Sequence, residues 1–482
     1  MTKRSRLLLM VCVFIATFMT SVEITIVTTA LPTIISDIHG LAFQSWIMSA
    51  YLLTTTVTTP IYGKLADIWG RKNLFLFGLI IFTVGSCLSG LAPNIWLLIL
   101  ARAIQGIGAG GIMPLTYTII ADSYSFEQRA KVMAFNNSAW ALSALAGPLL
   151  GGLLVEYLNW HWVFFVNVPL GMIVSILIFV SYKETKRPRV LVKIDWIGML
   201  ELAFSLGIFL FGIQQLSQQD DKRNLAIAAL IISAVLVYIF VRHEKGFREA
   251  LIPPKIFTNR TFTVQVVTAA LLSGILIGYQ VYFPIWLQSL YRMRPVLAGL
   301  VVTSGSIMWL VGGFLVGSIL AHFVPKWVSM LLISLLIAAY VPLIFARLNL
   351  PFWYFYIVSA ISGGFLGIII TMNMILSQHL VSENQIGTAS SILTLGRTLG
   401  QTMCTGILGA LLNIGIRLNL HGIAFSTVNN MISSDRVVQI SNKAVIDNVI
   451  LDGLHLVFIF EALILLTALL ANLRDPNNKI IH

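Results

Sequence analysis

The stretch that decides the fold is GKLADIWGRK at residues 63–72, a polar decapeptide between two long apolar runs. Its glycines, Gly63 and Gly70, permit a tight reversal because glycine has no Cβ and adopts backbone conformations that other residues avoid. Asp67 and Arg71 place charge at the same point of the chain. The segment is therefore predicted to be a short hinge between two membrane helices on the cytoplasmic side.

The composition indicates a polytopic membrane protein. Of the 482 residues 57% are hydrophobic and 10% are charged, with a mean hydropathy of +0.89. In ordinary soluble domains, charged residues make up about a quarter of the chain. The three cysteines lie within apolar runs, so we expect buried thiols rather than a disulfide framework. We expect no metal and no cofactor.

The formal net charge of +12 raises the question of a nucleic-acid partner. The basic residues collect before the first apolar run and in two connections, at residues 182–195 and 243–262. All three segments fall on one side of a membrane if the spans alternate from a cytoplasmic N-terminus, as the positive-inside rule requires. The charge therefore indicates contact with membrane lipids and no nucleic acid.

The apolar runs divide the chain into fourteen predicted spans at about 20 residues per crossing. The two basic connections bracket spans seven and eight. This predicts an N-terminal six-helix bundle at residues 1–181, basic linkers with an inserted helix pair at 182–262, and a C-terminal six-helix bundle at 263–482. A long outer loop is expected at about 413–452. An even number of spans leaves both termini in the cytoplasm.

The decapeptide resembles the signature loop between the second and third helices of the major facilitator superfamily, whose pattern is G-x-L-a-D-r-x-G-r-k. It lacks only the basic residue where Ile68 stands. The resemblance implies two six-helix halves with inverted three-helix repeats and a midplane substrate site. The predicted 6 + 2 + 6 arrangement is similar to that of the superfamily's fourteen-helix drug:proton antiporter family. An ordinary positive-inside loop is the alternative interpretation.

The same resemblance implies a conformational latch on the cytoplasmic side. Its members in this sequence are Gly63, Asp67, Gly70 and Arg71. Asp122, at the cytoplasmic end of span four, is the expected partner of this charge network. Such a latch would be a bistable element whose balance both the proton and the drug bias.

Span one carries an acid, Glu23, in the segment EITIVTTALP at residues 23–32. A carboxylate within the hydrocarbon region is costly and usually binds a proton, a cation or a partner. The segment resembles the antiporter family's first-helix pattern L-D-x-T-x-V-N-V-A-L-P, with Glu23 in place of Asp and Thr28 in place of Asn. A structural ion pair or a solvated position is the alternative interpretation.

Span four contains LARAIQGIGAGG at residues 100–111, which resembles the family's fourth-helix motif R-x-x-Q-G. Arg102 and Gln105 lie on one helix face. Glu23 is seven residues before the outer end of span one, and Arg102 is seven residues after the outer start of span four. Both therefore lie about 10 Å below the outer surface. We hypothesise that they interact directly or through water and that Arg102 controls proton binding at Glu23.

Span five contains AGPLLGG at residues 146–152, which resembles the antiporter motif G-P-x-x-G-G. Pro148 removes a helical hydrogen bond, while Gly147, Gly151 and Gly152 remove side-chain bulk, so this helix can kink and slide against a neighbour. Within the superfamily the motif is typical of exporters. A purely structural kink is the alternative.

Three further positions attract attention. The string WHWVFFVNVPLG at residues 160–171 is similar to one common in fourteen-helix drug exporters, and His161 is expected to be interfacial.

Glu461 in the last span lies at a depth similar to that of Arg397. Glu461 is either a second protonation site or the structural partner of Arg397, and pairing is favoured because the last helix is normally peripheral.

The combined interpretation is a proton-coupled antiporter that exports lipophilic, often cationic drugs. Few charges and many aromatic residues suit a broad, mainly apolar pocket. The expected partners are small-molecule drugs, protons and membrane lipids, and a functional monomer is expected. The resemblance implies a multi-pass protein of the bacterial inner membrane.

Two other transport functions stay open: export of one compound class, such as tetracycline, a siderophore or a lipid, and a channel without proton coupling. A membrane sensor or an intramembrane enzyme is the alternative from another class. The sequence lacks a soluble signalling domain, an H-E-x-x-H pair, a G-x-S-x-G turn and a Walker loop. The prediction is therefore a transporter and not an enzyme.

Overall fold

The computed structural model describes residues 3–38, 44–182, 184, 195–216, 223–247, 250, 252, 254–293, 295–348, 350–382, 385–420, 428 and 443–478. Regular structure in these ranges is helical, with no strand among them. Most of the predicted basic connection at residues 182–195 and about half of the predicted outer loop lie outside the described residues.

The first part of the described chain contains α1 (Lys3–Ile38), α2 (Gln44–Trp69), α3 (Arg71–Gly90), α4 (Ile95–Ser123), α5 (Phe126–Tyr157), the short α6 (His161–Phe165), α7 (Asn167–Ser181), α8 (Trp196–Leu216) and α9 (Arg223–Gly246). The second part contains α10 (Arg260–Ser289), α11 (Pro295–His322), α12 (Pro325–Ile344), α13 (Phe352–His379), α14 (Ile386–Leu418) and α15 (Lys443–Leu473). The all-α, polytopic class is as the sequence predicts.

Twelve spans in the described part of the chain are long and apolar enough to cross a membrane, with α6 and α7 counted together as His161–Ser181. The predicted second and fifth spans correspond to α2 and α5, which are not among the twelve. The middle of α2 carries five threonines, which lower its mean hydropathy. Several side chains in the middle of α5 lie outside the described residues, which leaves no continuous stretch of a span's length there. The count of fourteen spans stays a prediction.

The chain forms two compact units. Unit one comprises Met1–Ile208, Ile232–Thr263 and Thr371–Leu395. Unit two comprises Phe209–Ile231, Val264–Ile370 and Gly396–His482. The predicted division at residues 181 and 262 stays a prediction.

Within unit one, the glycines of α4 allow its backbone to approach two neighbouring helices. A Cβ on Gly106 would overlap the Tyr51 carbonyl oxygen of α2, and one on Gly108 would overlap the Phe82 amide nitrogen of α3. Small residues at helix interfaces permit this close approach in membranes, where packing replaces much of the hydrophobic driving force. The Gly-rich stretch thus holds α4 between α2 and α3.

We predict that Gly106→Ala lowers the thermal unfolding midpoint of the detergent-solubilised protein, because overpacking a tight contact costs about 1–3 kcal/mol. Gly152→Ala is the matched control, since a Cβ at Gly152 has no described atom within 4 Å. Both changes raise intrinsic helix propensity equally. Equal midpoints for the two variants would contradict the packing argument.

Candidate functional site

Four buried polar side chains from three helices meet in unit one. Glu23 belongs to α1, Arg102 and Gln105 to α4, and Asn167 to the first turn of α7, and each is 0% exposed. Buried polar groups at this density have to satisfy one another, because no water competes for their hydrogen bonds. They form the candidate site.

Both carboxylate oxygens of Glu23 are engaged. Oε1 forms an ion pair with Nη1 of Arg102, and Oε2 accepts a hydrogen bond from Nδ2 of Asn167. The contact between Glu23 and Arg102 that the depth argument predicted is confirmed. Whether this contact controls proton binding stays a prediction.

Arg102 is held on several sides. Its Nη1 donates to Oε1 of Gln105 at 2.6 Å, and its Nε donates to the Ile47 carbonyl oxygen of α2 at 3.2 Å. The guanidinium carbon lies 4.4 Å from the ring centroid of Tyr51 and 5.8 Å from that of Phe164. Aromatic faces stabilise a desolvated cation. The two rings therefore stabilise the charge of Arg102 in addition to its ion pair with Glu23.

The polar network continues from Gln105 to α3. Gln105 Nε2 donates to Ser86 Oγ at 2.8 Å, and Ser86 Oγ donates to the Phe164 carbonyl oxygen at 3.2 Å. Gly85 makes room for this arrangement, because a Cβ there would overlap the backbone of Gln105. Asn167 Oδ1 has no hydrogen-bond partner among the described residues, so one acceptor remains available beside Glu23.

An apolar cluster adjoins the site. It is formed by buried side chains of α1, α2, α4 and α6, among them Ile26, Val27, Ile47, Leu98, Val163 and Phe164. These residues keep water from the ion pair at this end of unit one. The low local dielectric strengthens the attraction within the pair and raises the cost of leaving either charge alone.

Three members of this network were not predicted from the sequence, namely Asn167, Tyr51 and Ser86. A signal for Asn167 was present, since it is an amide within a predicted span and in the string at residues 160–171. Tyr51 and Ser86 carry no comparable signal, because hydroxyl groups are common in membrane helices. In the same string, His161 is half-buried, with Nδ1 2.8 Å from the Gly90 carbonyl oxygen.

At the decapeptide, Arg71 forms an ion pair with Asp122 at the end of α4. The expected pairing of the loop with Asp122 is thereby confirmed, and its role as a latch stays a prediction. The side chain of Asp67 lies outside the described residues. Gly70 has φ 92°, a conformation that L side chains rarely adopt, so glycine is required there.

Glu184 joins the decapeptide from the segment after α7. Its Oε1 accepts from the Arg71 amide at 2.6 Å and its Oε2 accepts from the Lys72 amide at 3.3 Å. Gly70, at the N-cap of α3, supplies no side-chain cap. Glu184 therefore satisfies the free amides at this helix start and complements its dipole.

Gly63, near the end of α2, packs against the beginning of α14. A Cβ on Gly63 would overlap the Ser391 side chain and fall 2.9 Å from the Gly387 carbonyl oxygen. All three residues belong to unit one. The first glycine of the decapeptide thus serves a close helix contact, and the second serves the turn.

The antiporter-like motif lies within α5, which runs without interruption from Phe126 to Tyr157. A Cβ on Gly147 would overlap the Thr25 side chain of α1, and Thr25 Oγ1 donates to the Ser143 carbonyl oxygen of α5 at 3.1 Å. This contact lies two residues from Glu23. Of the other glycines in the motif, Gly151 is buried, and a Cβ on Gly152 would meet no described atom within 4 Å. The side chain of Pro148 lies outside the described residues.

In unit two, the favoured pairing of Glu461 with Arg397 is wrong. Glu461 is 0% exposed, and neither carboxylate oxygen has a hydrogen-bond partner among the described residues. The reason is geometric. The carboxyl group of Glu461 points at Gly278 of α10, where a Cβ would overlap it. Similar depth in two helices did not bring the two side chains into contact.

The chain matches a known family along most of its length. The profile of the Major Facilitator Superfamily matches residues 13–404. Multidrug transporter protein MdtP of Bacillus subtilis (strain 168) is 30% identical over 413 residues, 85% of this chain and 75% of the relative. Multidrug efflux pump SdrM of Staphylococcus aureus (strain N315) is 29% identical over 424 residues, 88% and 92% of the two chains. Multidrug resistance protein 3 of Bacillus subtilis (strain 168) is 36% identical over 300 residues, which are 62% of this chain. The match spans 58% of that relative's length.

Solved structures agree on the fold. The human organic anion transporter MFSD10 superposes with a TM-score of 0.62 at 14% identity, covering 98% of this chain and 100% of its own. The proton:xylose symporter XylE, bound to 6-bromo-6-deoxy-D-glucose, superposes with a TM-score of 0.64 at 11% identity, covering 99% and 98%. At these identities the likeness shows the fold alone.

We predict that Arg102→Met and Glu23→Gln each destabilise the solubilised protein, because breaking a buried ion pair leaves one charge uncompensated at a cost of about 3–5 kcal/mol. The double variant removes both charges and is expected to unfold at a higher temperature than Arg102→Met alone. Thermal unfolding of the four proteins measures the coupling. Additive losses in the double variant would contradict a direct interaction.

Proposed function

Because the chain belongs to the major facilitator superfamily, we propose that it is a proton-coupled antiporter that exports lipophilic, often cationic drugs. The site residues in this proposal are Glu23, Arg102 and Gln105. As a multi-pass membrane transporter it carries its cargo across a bilayer and makes no covalent change to it. We further propose that it works as a monomer in the bacterial inner membrane, with both termini in the cytoplasm.

One observation carries the coupling, namely the buried ion pair between Glu23 and Arg102. A proton that binds Glu23 removes the negative charge and leaves Arg102 as an uncompensated buried cation. Arg102 then keeps only its contacts with Gln105, the Ile47 carbonyl and the Tyr51 ring. These contacts favour a different position of its side chain. Proton binding thus changes which conformation of unit one is stable, and a conformational equilibrium is what couples two ligands.

Three lines support a drug as the exported cargo. The relatives MdtP, SdrM and Multidrug resistance protein 3 are named as multidrug transporters or resistance proteins. The motif at residues 146–152 resembles that of exporters, and it packs on α1 within two residues of Glu23. A carboxylate that exchanges protons also suits a site that responds to cationic compounds.

The cytoplasmic latch is part of the same proposal. The ion pair between Arg71 and Asp122 ties the start of α3 to the end of α4, and Glu184 fixes the backbone of Arg71. We propose that this pair stabilises one conformation of the transporter and breaks in the other. Such a switch needs only a small free-energy difference, since about 1–3 kcal/mol changes an equilibrium about 5–150-fold.

The decisive test compares the native chain with Glu23→Gln in proteoliposomes. We expect Glu23→Gln to lose ethidium transport driven by a pH gradient by about tenfold or more. Exchange of ethidium for unlabelled drug without a gradient should persist, because exchange needs the alternating conformations but no proton. Glu127→Gln is the control, since Glu127 is an exposed acid at the start of α5.

Other results have distinct meanings. Equal loss of gradient-driven transport and exchange would reduce Glu23 to a structural ion-pair partner. Full gradient-driven transport by Glu23→Gln would place the proton site elsewhere. Failure of the native chain to transport ethidium, together with transport of one compound class such as tetracycline, would favour a dedicated exporter.

For the latch, we predict that Asp122→Asn slows drug transport by about tenfold while the protein remains folded. The substitution keeps the side-chain volume and removes the charge that faces Arg71. Initial rates of gradient-driven efflux measure the effect, with Glu127→Gln again as the control. An unchanged rate would show that this ion pair only supports the fold.

A further inference from the structure

Unit two contains a buried acid that the network around Glu23 does not include, Glu461 of α15. We propose that Glu461 is a second proton-binding site and that its carboxyl group holds a proton in the conformation described here. This proposal deepens the proposed function. It rests on that function only where it links the bound proton to drug export.

The carboxyl group of Glu461 has no partner for a charge among the described residues. Glu461 is 0% exposed, and both of its carboxylate oxygens lack a hydrogen-bond partner among the described residues. An ionised carboxylate in such a place would cost far more free energy than a neutral carboxylic acid. Glu23 is equally buried, yet each of its oxygens has a partner. The surroundings of Glu23 therefore stabilise a negative charge, whereas those of Glu461 do not.

The carboxyl of Glu461 is surrounded by hydroxyl and thiol groups. Tyr282 of α10, Tyr340 of α12 and Cys404 of α14 lie within electrostatic range of Glu461. The hydroxyl of Tyr340 accepts a hydrogen bond from Ser362 Oγ at 3.3 Å. All of these groups are neutral. Ion pairs within the described residues include no partner for Glu461, and Arg397 of α14 does not reach it.

The space around the carboxyl of Glu461 is small. A Cβ on Gly278 would overlap the carboxyl of Glu461, and a Cβ on Gly274, one turn earlier in α10, would overlap the sulfur of Cys404. The stripe Gly274-x-x-x-Gly278 thus accommodates two buried side chains against one helix face. A drug cation has no space at this contact. Within the described residues, no group of three His, Cys, Asp or Glu side chains could hold a metal ion.

A proton is therefore the cation that fits. It needs no added volume, and it removes the charge that the apolar surroundings cannot stabilise. Because the bound proton stabilises the packed arrangement of α10 and α15, release of that proton favours a conformation in which the carboxyl has left Gly278 and reached water or a cation. Proton binding at Glu461 is in this way linked to the packing of unit two.

Infrared difference spectroscopy tests the proposal directly. The native protein and Glu461→Gln are reconstituted in lipid at neutral pH without drug, and the carbonyl stretching region of protonated carboxyl groups is compared. We expect one protonated-carboxyl band in the native protein that Glu461→Gln lacks. Glu23→Gln is the matched control and should retain the band, since Glu23 is paired with Arg102 in the same conformation.

A second variant keeps the test decisive if Glu461→Gln does not fold. Glu461→Asp retains an acid on a shorter side chain, so it should shift the band in frequency without deleting it. Persistence of an unshifted band in the Glu461 variants, or absence of the band from the native protein, would overturn the proposal. Because no drug is present, the spectrum reports on Glu461 even if drug export coupled to Glu23 proves wrong.

Discussion

The ion pair between Glu23 and Arg102 is the interaction on which the rest of unit one depends. Two full charges in an apolar bundle are stable only if each compensates the other and every remaining donor finds an acceptor. This condition determines where α1 lies against α4, and why Asn167, Gln105 and the Ile47 carbonyl point to the same place. A change in either charge therefore alters contacts that α1, α2, α4 and α7 share.

The close packing around the pair has a single physical basis, the lack of side chains at selected positions. Gly106 admits the backbone of α2, Gly85 admits Gln105, and Gly147 admits Thr25 of α1. In a membrane, lipid is as apolar as the helix surfaces, so helices gain stability mainly from close contact and internal hydrogen bonds. The glycines are thus part of the site, because they set the distances at which the polar groups meet.

The two buried glutamates show how environment assigns a role that residue type does not. Glu23 has a cation and an amide donor, whereas Glu461 has Gly278 and neutral hydroxyl and thiol groups. The first surroundings can stabilise a carboxylate, whereas the second offer no partner for a charge among the described residues. Under the proposed mechanism, these are two places where proton binding is linked to helix packing, one in each unit.

The sequence by itself determined the helical membrane class, the family and the contact between Glu23 and Arg102. These follow from hydrophobic runs, from the spacing within short motifs, and from the constant rise of a helix, which converts residue number into depth. Depth alone failed for Glu461 and Arg397, because it says nothing about the direction in which a side chain leaves its helix. Only the tertiary structure decided that Asn167 completes the site, that Glu184 caps α3, and that Glu461 faces a glycine, since each depends on how helices distant in sequence rotate and pack.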